Sequence, residues 1–325
     1  MKKSLIFLIA LLVSATTFSN SIQAIEPDPI DEFETLASYL ETNVDFIKGD
    51  MPIIMADEVK KNFKNEKYHI IDIRSDSWFE YGHIKNANNV KAAELLNYFE
   101  TKIKPADYEK IVLICYSGQS AAYYTGLLRI AGYNNVYSMK WGMSSWREDF
   151  AEGFWLKKIK SDGDSKLETT ENPKAEVGVH PTLSTGKTDA KDILRARLEE
   201  LFAKPYSDFI VKSQEVFETP DNYYIVNYCN AENYAKGHIP TAKQYQPGAS
   251  LTASTDLYTL PTDKKIAVYE STGQRAAYVI AYLNVLGYDT GNIAYGSNSF
   301  MNDILDKNDW DAFSKKEINM YPVIE

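Results

Sequence analysis

The sequence predicts an α/β fold built from two tandem domains, each with a mainly parallel sheet flanked by helices. Short apolar runs, such as residues 68–73 and 112–114, alternate with segments of helical pattern. This alternation is typical of parallel strands joined by helices. Three motifs also recur 155 residues apart: Gly-His-Ile at Gly82 and Gly237, Gly-Gln at Gly118 and Gly273, and Gly-Tyr at Gly132 and Gly287. One register shared by three motifs indicates the duplication of a whole domain.

The length and composition agree with two soluble domains. The chain has 325 residues, of which 44% are hydrophobic and 25% are charged, as is typical of globular proteins. The formal net charge is −10. An excess of negative charge argues against nucleic acid and against anionic membrane surfaces as partners.

The N-terminus has the pattern of a signal peptide covering residues 1–24. Lys2 and Lys3 form a basic start, residues 5–15 are apolar, and Ala24 ends a suitable cleavage site. The apolar run is too short for a membrane-spanning helix. No cysteine lies near Ala24, so the sequence does not indicate a lipid anchor. We therefore expect an exported protein, periplasmic or secreted, without a membrane anchor.

The remaining chain divides into four parts. Residues 25–44 form a lead-in with a helix predicted from Asp31 to Thr42, and residues 45–155 form the first copy of the domain. Residues 156–188 are rich in Lys, Asp, Glu, Ser and Thr, which predicts a polar linker. The second copy occupies residues 189–325 and opens with a helix that runs to about Phe202.

The elements of the first copy follow from their patterns in chain order. Gly132 ends the last long helix, because glycine takes the left-handed conformation at little cost. Strands are predicted at residues 68–73, 88–90, 112–114 and 135–139, and helices at residues 56–62, 92–99 and 121–131.

The loop between the strand at 112–114 and the following helix carries Cys115. That position places a thiol at the carboxyl end of a strand, facing the N-terminus of a helix. Free backbone N–H groups and the helix dipole would stabilise a thiolate, or an anion bound to it, at such a place. The alternative interpretation is a buried structural cysteine, since free cysteine is among the most buried residue types.

The two copies differ at the positions where chemistry is expected. At the same offset, Glu270 replaces Cys115, and Asn227 replaces Asp72 at the strand end. The other cysteine, Cys229, falls where the first copy has Arg74. Two cysteines do not form a disulfide framework of the small secreted kind, although a single Cys115–Cys229 bridge stays open. Only the first copy can use a thiol at this loop.

With these residues in this order, the chain resembles a tandem rhodanese-domain protein. In the first copy the resemblance lies in Asp72-x-Arg74, Gly82-His83-Ile84, the loop from Cys115 to Ser120, Gly132-Tyr133, Trp141-Gly142 and Trp146. It covers about residues 45–152 and, more weakly, about residues 205–300. The motifs are individually modest, and their order and spacing make them specific.

The resemblance implies a sulfurtransferase in which Cys115 is the nucleophile. The thiolate would take a sulfane sulfur from a donor and pass it, as a persulfide, to a thiophilic acceptor. The residues implied to form the N–H cradle for this sulfur are Tyr116, Ser117, Gly118, Gln119 and Ser120. Asp72 and Arg74 would support the site as an ion pair or loop brace. No metal and no organic cofactor are implied.

Two departures from the family pattern bear on the substrate. Many members have arginine after the cysteine and another near the end of the loop, where this chain has Tyr116 and Ser120. Without these cations we expect weaker recognition of thiosulfate, so polysulfide or a small persulfide is favoured as the donor. The active cysteine of two-domain members is usually in the second copy, and here it is in the first.

Three other functions are alternatives to sulfur transfer. A non-catalytic binding or sulfur-carrier protein, with a protein partner at the second domain, would explain the missing arginines and the copy without a thiol. A phosphatase or arsenate reductase needs a longer loop that ends in arginine to bind an oxyanion. A thiol–disulfide oxidoreductase would need a Cys-x-x-Cys pair, which the sequence lacks.

Overall fold

The computed structural model describes residues 30–325, so the predicted signal peptide lies outside the described residues. Residues 31–325 form one compact unit. Within the part of the chain that the structure describes, no helix is long and apolar enough to cross a membrane.

The first copy contains a five-stranded parallel sheet with the strand order β1-β5-β4-β2-β3. Its central strand is buried from Ile111 to Ile114, as expected for a parallel strand covered on both faces. The strands are β1 (Ile53–Ile54), β2 (Tyr68–Asp72), β3 (Asn88–Asn89), β4 (Lys110–Ile114) and β5 (Val136–Met139).

Helices cover both faces of this sheet. One helix precedes the copy, and the others connect or follow its strands. They are α1 (Glu32–Asn43), α2 (Ala56–Asn62), α3 (Asp76–Tyr81), α4 (Leu95–Thr101), α5 (Gln119–Ile130), α6 (Glu148–Gly153) and α7 (Trp155–Lys158).

The second copy repeats this architecture, with the strand order β6-β10-β9-β7-β8 and all neighbours parallel. The predicted α/β fold of two similar parallel sheets is therefore confirmed. The strands are β6 (Ile210–Val211), β7 (Tyr223–Asn227), β8 (Lys243–Gln244), β9 (Lys265–Tyr269) and β10 (Thr290–Ile293). The helices are α8 (Ala190–Ala203), α9 (Ser213–Glu218), α10 (Ala231–Lys236), α11 (Gln274–Val285) and α12 (Asn302–Asn308).

The two copies meet where helix α5 packs against helix α11. Gly126 permits the close approach, since a Cβ atom at this position would lie only 2.8 Å from the Cβ of Ala281. The apolar side chains of both helices belong to one continuous buried cluster. The interface is therefore built like the interior of a single domain.

Each copy is covered by the helix that precedes the other copy. Helix α1 lies against the second copy, where Phe33 contacts Tyr288 with ring centroids 6.0 Å apart. Helix α8 lies against the first copy, where Phe202 stacks on Tyr124 at 5.9 Å and Arg195 pairs with Glu100.

The tails after the two copies are exchanged in the same way. His83 of the first copy forms two backbone hydrogen bonds of 2.9 Å with Ile324, near the end of the chain. His238 of the second copy forms two backbone hydrogen bonds of 3.0 Å with Glu168, which lies in the polar segment after the first copy. The segment predicted as a linker is thus partly packed against the second copy.

We expect deletion of residues 320–325 to destabilise the first copy rather than the second. The deletion removes both His83 bonds, the Tyr321 N–H bond to the Trp146 carbonyl, and the bond from Trp146 Nε1 to the Pro322 carbonyl. Net contributions near 1 kcal/mol for each of these four bonds predict a loss of about 4 kcal/mol in the free energy of unfolding.

Urea unfolding measures this loss, and hydrogen exchange at the His83 amide locates it. Met320→Ser is the control, because Met320 lies on the same tail and is 61% exposed. Faster exchange confined to the second copy would contradict the expectation.

Candidate active site

Cys115 lies directly after strand β4 and is buried, with 1% of its surface exposed. Helix α5 begins at Gln119, two residues before the predicted start at residue 121. The earlier start depends on Gly118, whose φ of 87° is in the left-handed region. The loop is therefore a tight turn that brings the helix N-terminus close to the sulfur.

The sulfur of Cys115 accepts hydrogen bonds from the loop. The N–H of Gly118 donates over 3.1 Å and the N–H of Ala121 over 3.4 Å. Burial raises the pKa of the Cys115 thiol, and the Ser120 hydroxyl and the loop N–H groups act in the opposite direction as hydrogen-bond donors. Of the two N–H donors, Gly118 belongs to the predicted cradle of residues 116–120, and Ala121 lies one residue beyond it. Burial is the largest influence on the pKa of the resting thiol.

Tyr116 and Ser117 are fixed by aromatic neighbours. The Tyr116 ring stacks on Phe154 with centroids 4.6 Å apart, and its hydroxyl accepts a hydrogen bond of 3.2 Å from the Ser75 N–H. The Ser117 carbonyl accepts a 3.1 Å hydrogen bond from Trp155 Nε1. The residue directly after the cysteine is here part of an aromatic contact.

Asp72 and Arg74 form a buried ion pair, with 2.7 Å between Nη2 and Oδ2. Nη2 of Arg74 also donates to the Gly82 carbonyl over 2.7 Å, and the guanidinium lies 5.0 Å from the centre of the Phe150 ring. Phe150 belongs to a different buried cluster from Cys115, and Ile70 of strand β2 belongs to the same cluster as Phe150. Asp72 points to that same face, because side chains two residues apart on a strand lie on one side of the sheet. The pair braces the Gly82 turn, away from the face that holds the sulfur.

Two glutamines cross the interface between the copies. Gln274 of the second copy reaches the first loop, where its Oε1 accepts a 2.8 Å hydrogen bond from the Trp141 N–H and its Nε2 donates to the Gly118 carbonyl over 3.3 Å. Gln119 of the first copy makes the reciprocal contact, accepting from the Tyr295 N–H over 2.7 Å. The recurring Gly-Gln motif was the sequence signal for this pair, although it did not reveal the crossing.

The second loop is occupied by its own carboxylate. Glu270 accepts hydrogen bonds from the Thr272 N–H at 2.7 Å, the Thr272 hydroxyl at 2.9 Å and the Arg275 N–H at 3.1 Å. Burial raises the pKa of Glu270, and the bonds from Thr272 and the charge of Arg275 oppose this. Cys229 is partly exposed, and both cysteines are free. Glu270 thus uses the donors that would otherwise face an anion.

A cleft of about 290 Å³ opens beside the first loop. Ser120 connects it to the active loop, since Ser120 lies next to Ala121, whose N–H donates to the sulfur. The sequence did not predict that the segment before strand β6 lines this cleft, because that segment is distant from the active loop along the chain. The cleft is lined by Ile73, Ala92, Ala93, Ser120, Tyr124, Phe202, Ala203, Lys204, Pro205 and Tyr206.

The matching cleft of the second copy is almost closed, at about 10 Å³. Larger side chains occupy it: Tyr228 lies where the first copy has Ile73, and Arg275 lies where it has Ser120. Only the copy with the thiol keeps an open cleft at its loop. Over residues 30–325, no group of three or more metal-ligating side chains is present.

The raised pKa predicts a specific pH dependence for alkylation of Cys115. In a Cys229→Ser background, we expect the rate with iodoacetamide to keep rising above pH 9, because the buried thiol gives up its proton at higher pH than a free one. The quantity to compare is the midpoint of the pH–rate profile and not the rate itself, because burial slows the access of iodoacetamide to the thiol at every pH. The urea-unfolded chain is the control. A plateau at or below pH 8.5 would mean that the loop donors outweigh burial.

Gln274→Ala should lower the free energy of unfolding by about 2 kcal/mol. The change leaves the buried Trp141 N–H without its acceptor, and an unsatisfied buried donor costs about 1–3 kcal/mol. Gln214→Ala is the matched control, because Gln214 is exposed and bonds only Glu218. Equal effects of both variants in urea unfolding would show that the crossing contributes nothing.

Comparisons with known sequences agree with this architecture. The sequence profile described as a rhodanese-like domain matches residues 55–149 and residues 214–303. The chain is similar to the thiosulfate sulfurtransferase GlpE of Shewanella oneidensis, with 35% identity over 80 residues, which are 24% of this chain and 75% of that protein. The GlpE of Coxiella burnetii is 37% identical over 79 residues, which are 24% of this chain and 70% of that protein.

Solved structures give similar matches. A rhodanese-related protein from Thermoplasma volcanium has 26% identity and a TM-score of 0.26, over 30% of this chain and 90% of that one. The 3-mercaptopyruvate sulfurtransferase SseA from Escherichia coli has 18% identity and a TM-score of 0.27, over 76% of this chain and 98% of that one. Because both TM-scores are below 0.5, the assignment rests on the sequence matches. With two profile matches that together cover more than half of its length, the chain belongs to the rhodanese-like domain family as a tandem member.

Proposed function

We propose that the protein is a sulfurtransferase that moves a sulfane sulfur from a small donor to a thiophilic acceptor through a persulfide on Cys115. The observation that carries the proposal is the asymmetry between the copies. The first copy combines a thiol, N–H donors and an open cleft, whereas the second combines a carboxylate with a closed one. The names of the similar GlpE proteins support the same reaction class.

The reaction needs two displacement steps and no external oxidant. In the first, the Cys115 thiolate attacks the outer sulfur of a donor RS–SH. A bond from Sγ to that sulfur forms, the bond to R–S breaks, and the electron pair leaves on RS⁻. In the second, an acceptor thiolate attacks the outer sulfur of the Cys115 persulfide, and the electron pair returns to Sγ.

The loop supplies the electrostatic part of this reaction. The N–H groups of Gly118 and Ala121 already point at Sγ and need no rearrangement when negative charge develops there. Fixed donors of this kind stabilise charge most effectively in a water-poor site. The buried position of Cys115 therefore lowers the resting thiolate fraction and strengthens the same donors once the anion has formed.

The cleft favours a small donor of low charge. Within the described residues 30–325, Lys204 is the single cationic side chain that lines the cleft. Its Nζ is paired with Glu200 at 2.7 Å. No carboxylate is among those lining residues. A dianion such as thiosulfate would find little compensation here, so we assign a low-molecular-weight persulfide, or polysulfide in its singly protonated form HSn⁻, as the donor.

We also propose that the protein acts after export, because the segment at residues 1–24 has the pattern of a cleaved signal peptide. N-terminal sequencing of the protein purified from the producing cells tests this, with Ile25 as the expected first residue. A first residue at Met1 would contradict it.

Intact-mass measurement tests the persulfide directly. After incubation with polysulfide, we expect a gain of about 32 Da that a reductant removes, because one sulfur atom is bound as a persulfide. Cys115→Ser should lose the gain and Cys229→Ser should keep it, since only Cys115 accepts hydrogen bonds from the loop N–H groups beside the open cleft. Thiosulfate at equal concentration should give a smaller gain than polysulfide.

Two outcomes would contradict the proposal. No gain with either donor, while Cys115 still reacts with iodoacetamide, would leave a binding protein. A gain on Cys115 without turnover when a small thiol acceptor is added would indicate a sulfur carrier that needs a protein partner.

A further inference from the structure

Tyr206 comes from the second copy and lies in the cleft of the first. It opens the short 3₁₀ helix Tyr206–Phe209 that follows helix α8. Its ring packs beside Tyr123 of helix α5, with centroids 5.5 Å apart. Tyr206 and Ser120 line the same cleft, and Ser120 is next to Ala121, whose N–H donates to the sulfur of Cys115. Tyr206 therefore lies at the cleft that adjoins the active loop.

One amide fixes the Tyr206 hydroxyl relative to the active loop. Nδ2 of Asn292 donates to the Tyr206 oxygen over 2.8 Å and to Oε1 of Gln119 over 3.0 Å. The phenol oxygen thus accepts a bond, and its own proton finds no acceptor among residues 30–325. A fixed hydroxyl with an uncommitted proton beside a reactive loop is a preorganised donor.

The charges around this hydroxyl keep it a donor. Burial raises the pKa of Tyr206 well above the ordinary tyrosine value, and the Cys115 thiolate adds to the rise. The phenol consequently stays neutral at any working pH. The influence of the thiolate agrees with a sulfur that lies near the ring.

The second copy provides an internal comparison. The segment that walls its nearly closed cleft includes Phe46, Ile47 and Gly49, and it brings no hydroxyl to the loop. At the position equivalent to Tyr206, 155 residues earlier, the chain has Met51, which also lines the closed cleft, so this segment supplies a hydroxyl only to the copy with the thiol.

We propose that Tyr206 is a catalytic residue whose hydroxyl donates a hydrogen bond to the outer sulfur of the Cys115 persulfide. The inference rests on the proposed function and adds a residue from the second copy to its site. The bond stabilises the outer sulfur while the bonds to its two neighbours exchange, and no proton is transferred. The resting thiol, one sulfur atom shorter, is held by Gly118 and Ala121 instead.

The Tyr206→Phe variant separates stabilisation of the outer sulfur from support of the resting thiol. We expect sulfur transfer from polysulfide to a small thiol to slow about tenfold in kcat, with KM changed less than twofold, because the lost bond acts on the reacting sulfur. Alkylation of the resting Cys115 thiol by iodoacetamide should stay within twofold of the wild-type rate. Tyr288→Phe is the matched control, since its hydroxyl bonds the Leu257 carbonyl in the second copy, and neither rate should change.

Other outcomes would overturn the inference. If Tyr206→Phe slows transfer and alkylation equally, the hydroxyl supports the loop and does not contact the outer sulfur. If it changes neither rate while the wild type transfers sulfur, Tyr206 has no catalytic role and the proposed function stands. If the wild type takes up no sulfur, the proposed function fails and this inference fails with it.

Discussion

The packing of helix α5 against helix α11 is the constraint on which the active loop depends. Both helices begin at a loop, so the close contact at Gly126 and Ala281 brings the two loops together as well. Gln119 and Gln274 then cross to the opposite loop and satisfy backbone N–H groups there. Gly118, which donates to the sulfur, is held by a side chain from the copy without a thiol. The second copy is thereby part of the structure that positions the first loop, and its own loss of the cysteine does not make it dispensable.

The two loops show alternative ways to satisfy the same N–H groups. In the second copy the carboxyl group of Glu270 accepts hydrogen bonds from these groups, and the donors it occupies are unavailable to anything else. In the first copy the thiol of Cys115 is smaller and the adjoining cleft is open, so the donors can serve a charge that forms during a reaction. The replacement of Cys115 by Glu270, together with larger side chains in and around the loop, distinguishes a closed structural turn from a candidate active site.

Sequence patterns predicted the parts of the fold that depend on neighbouring residues. Strands β2 and β4, the position of Cys115 and the duplication follow from short motifs and their spacing. The start of helix α5 was placed two residues late, because Gly118 allows a sharper turn than the polar loop suggested. The exchanged helices and tails were missed, as was Tyr206, because each joins residues far apart in the chain. The segment at 156–188 looked like a linker by composition, yet Glu168 and His238 form a bridge in the structure.

The exchanged tails have a consequence for how the chain folds. The first copy needs Ile324 to complete the turn at His83, so this part of its structure cannot form until the last residues of the protein are available. Such distant pairings raise the contact order, and chains of high contact order fold slowly. The two copies are then expected to reach the native state together, even though each has its own sheet. A chain whose synthesis has not yet reached Ile324 would hold the first copy incomplete at His83 and at the Trp146 carbonyl.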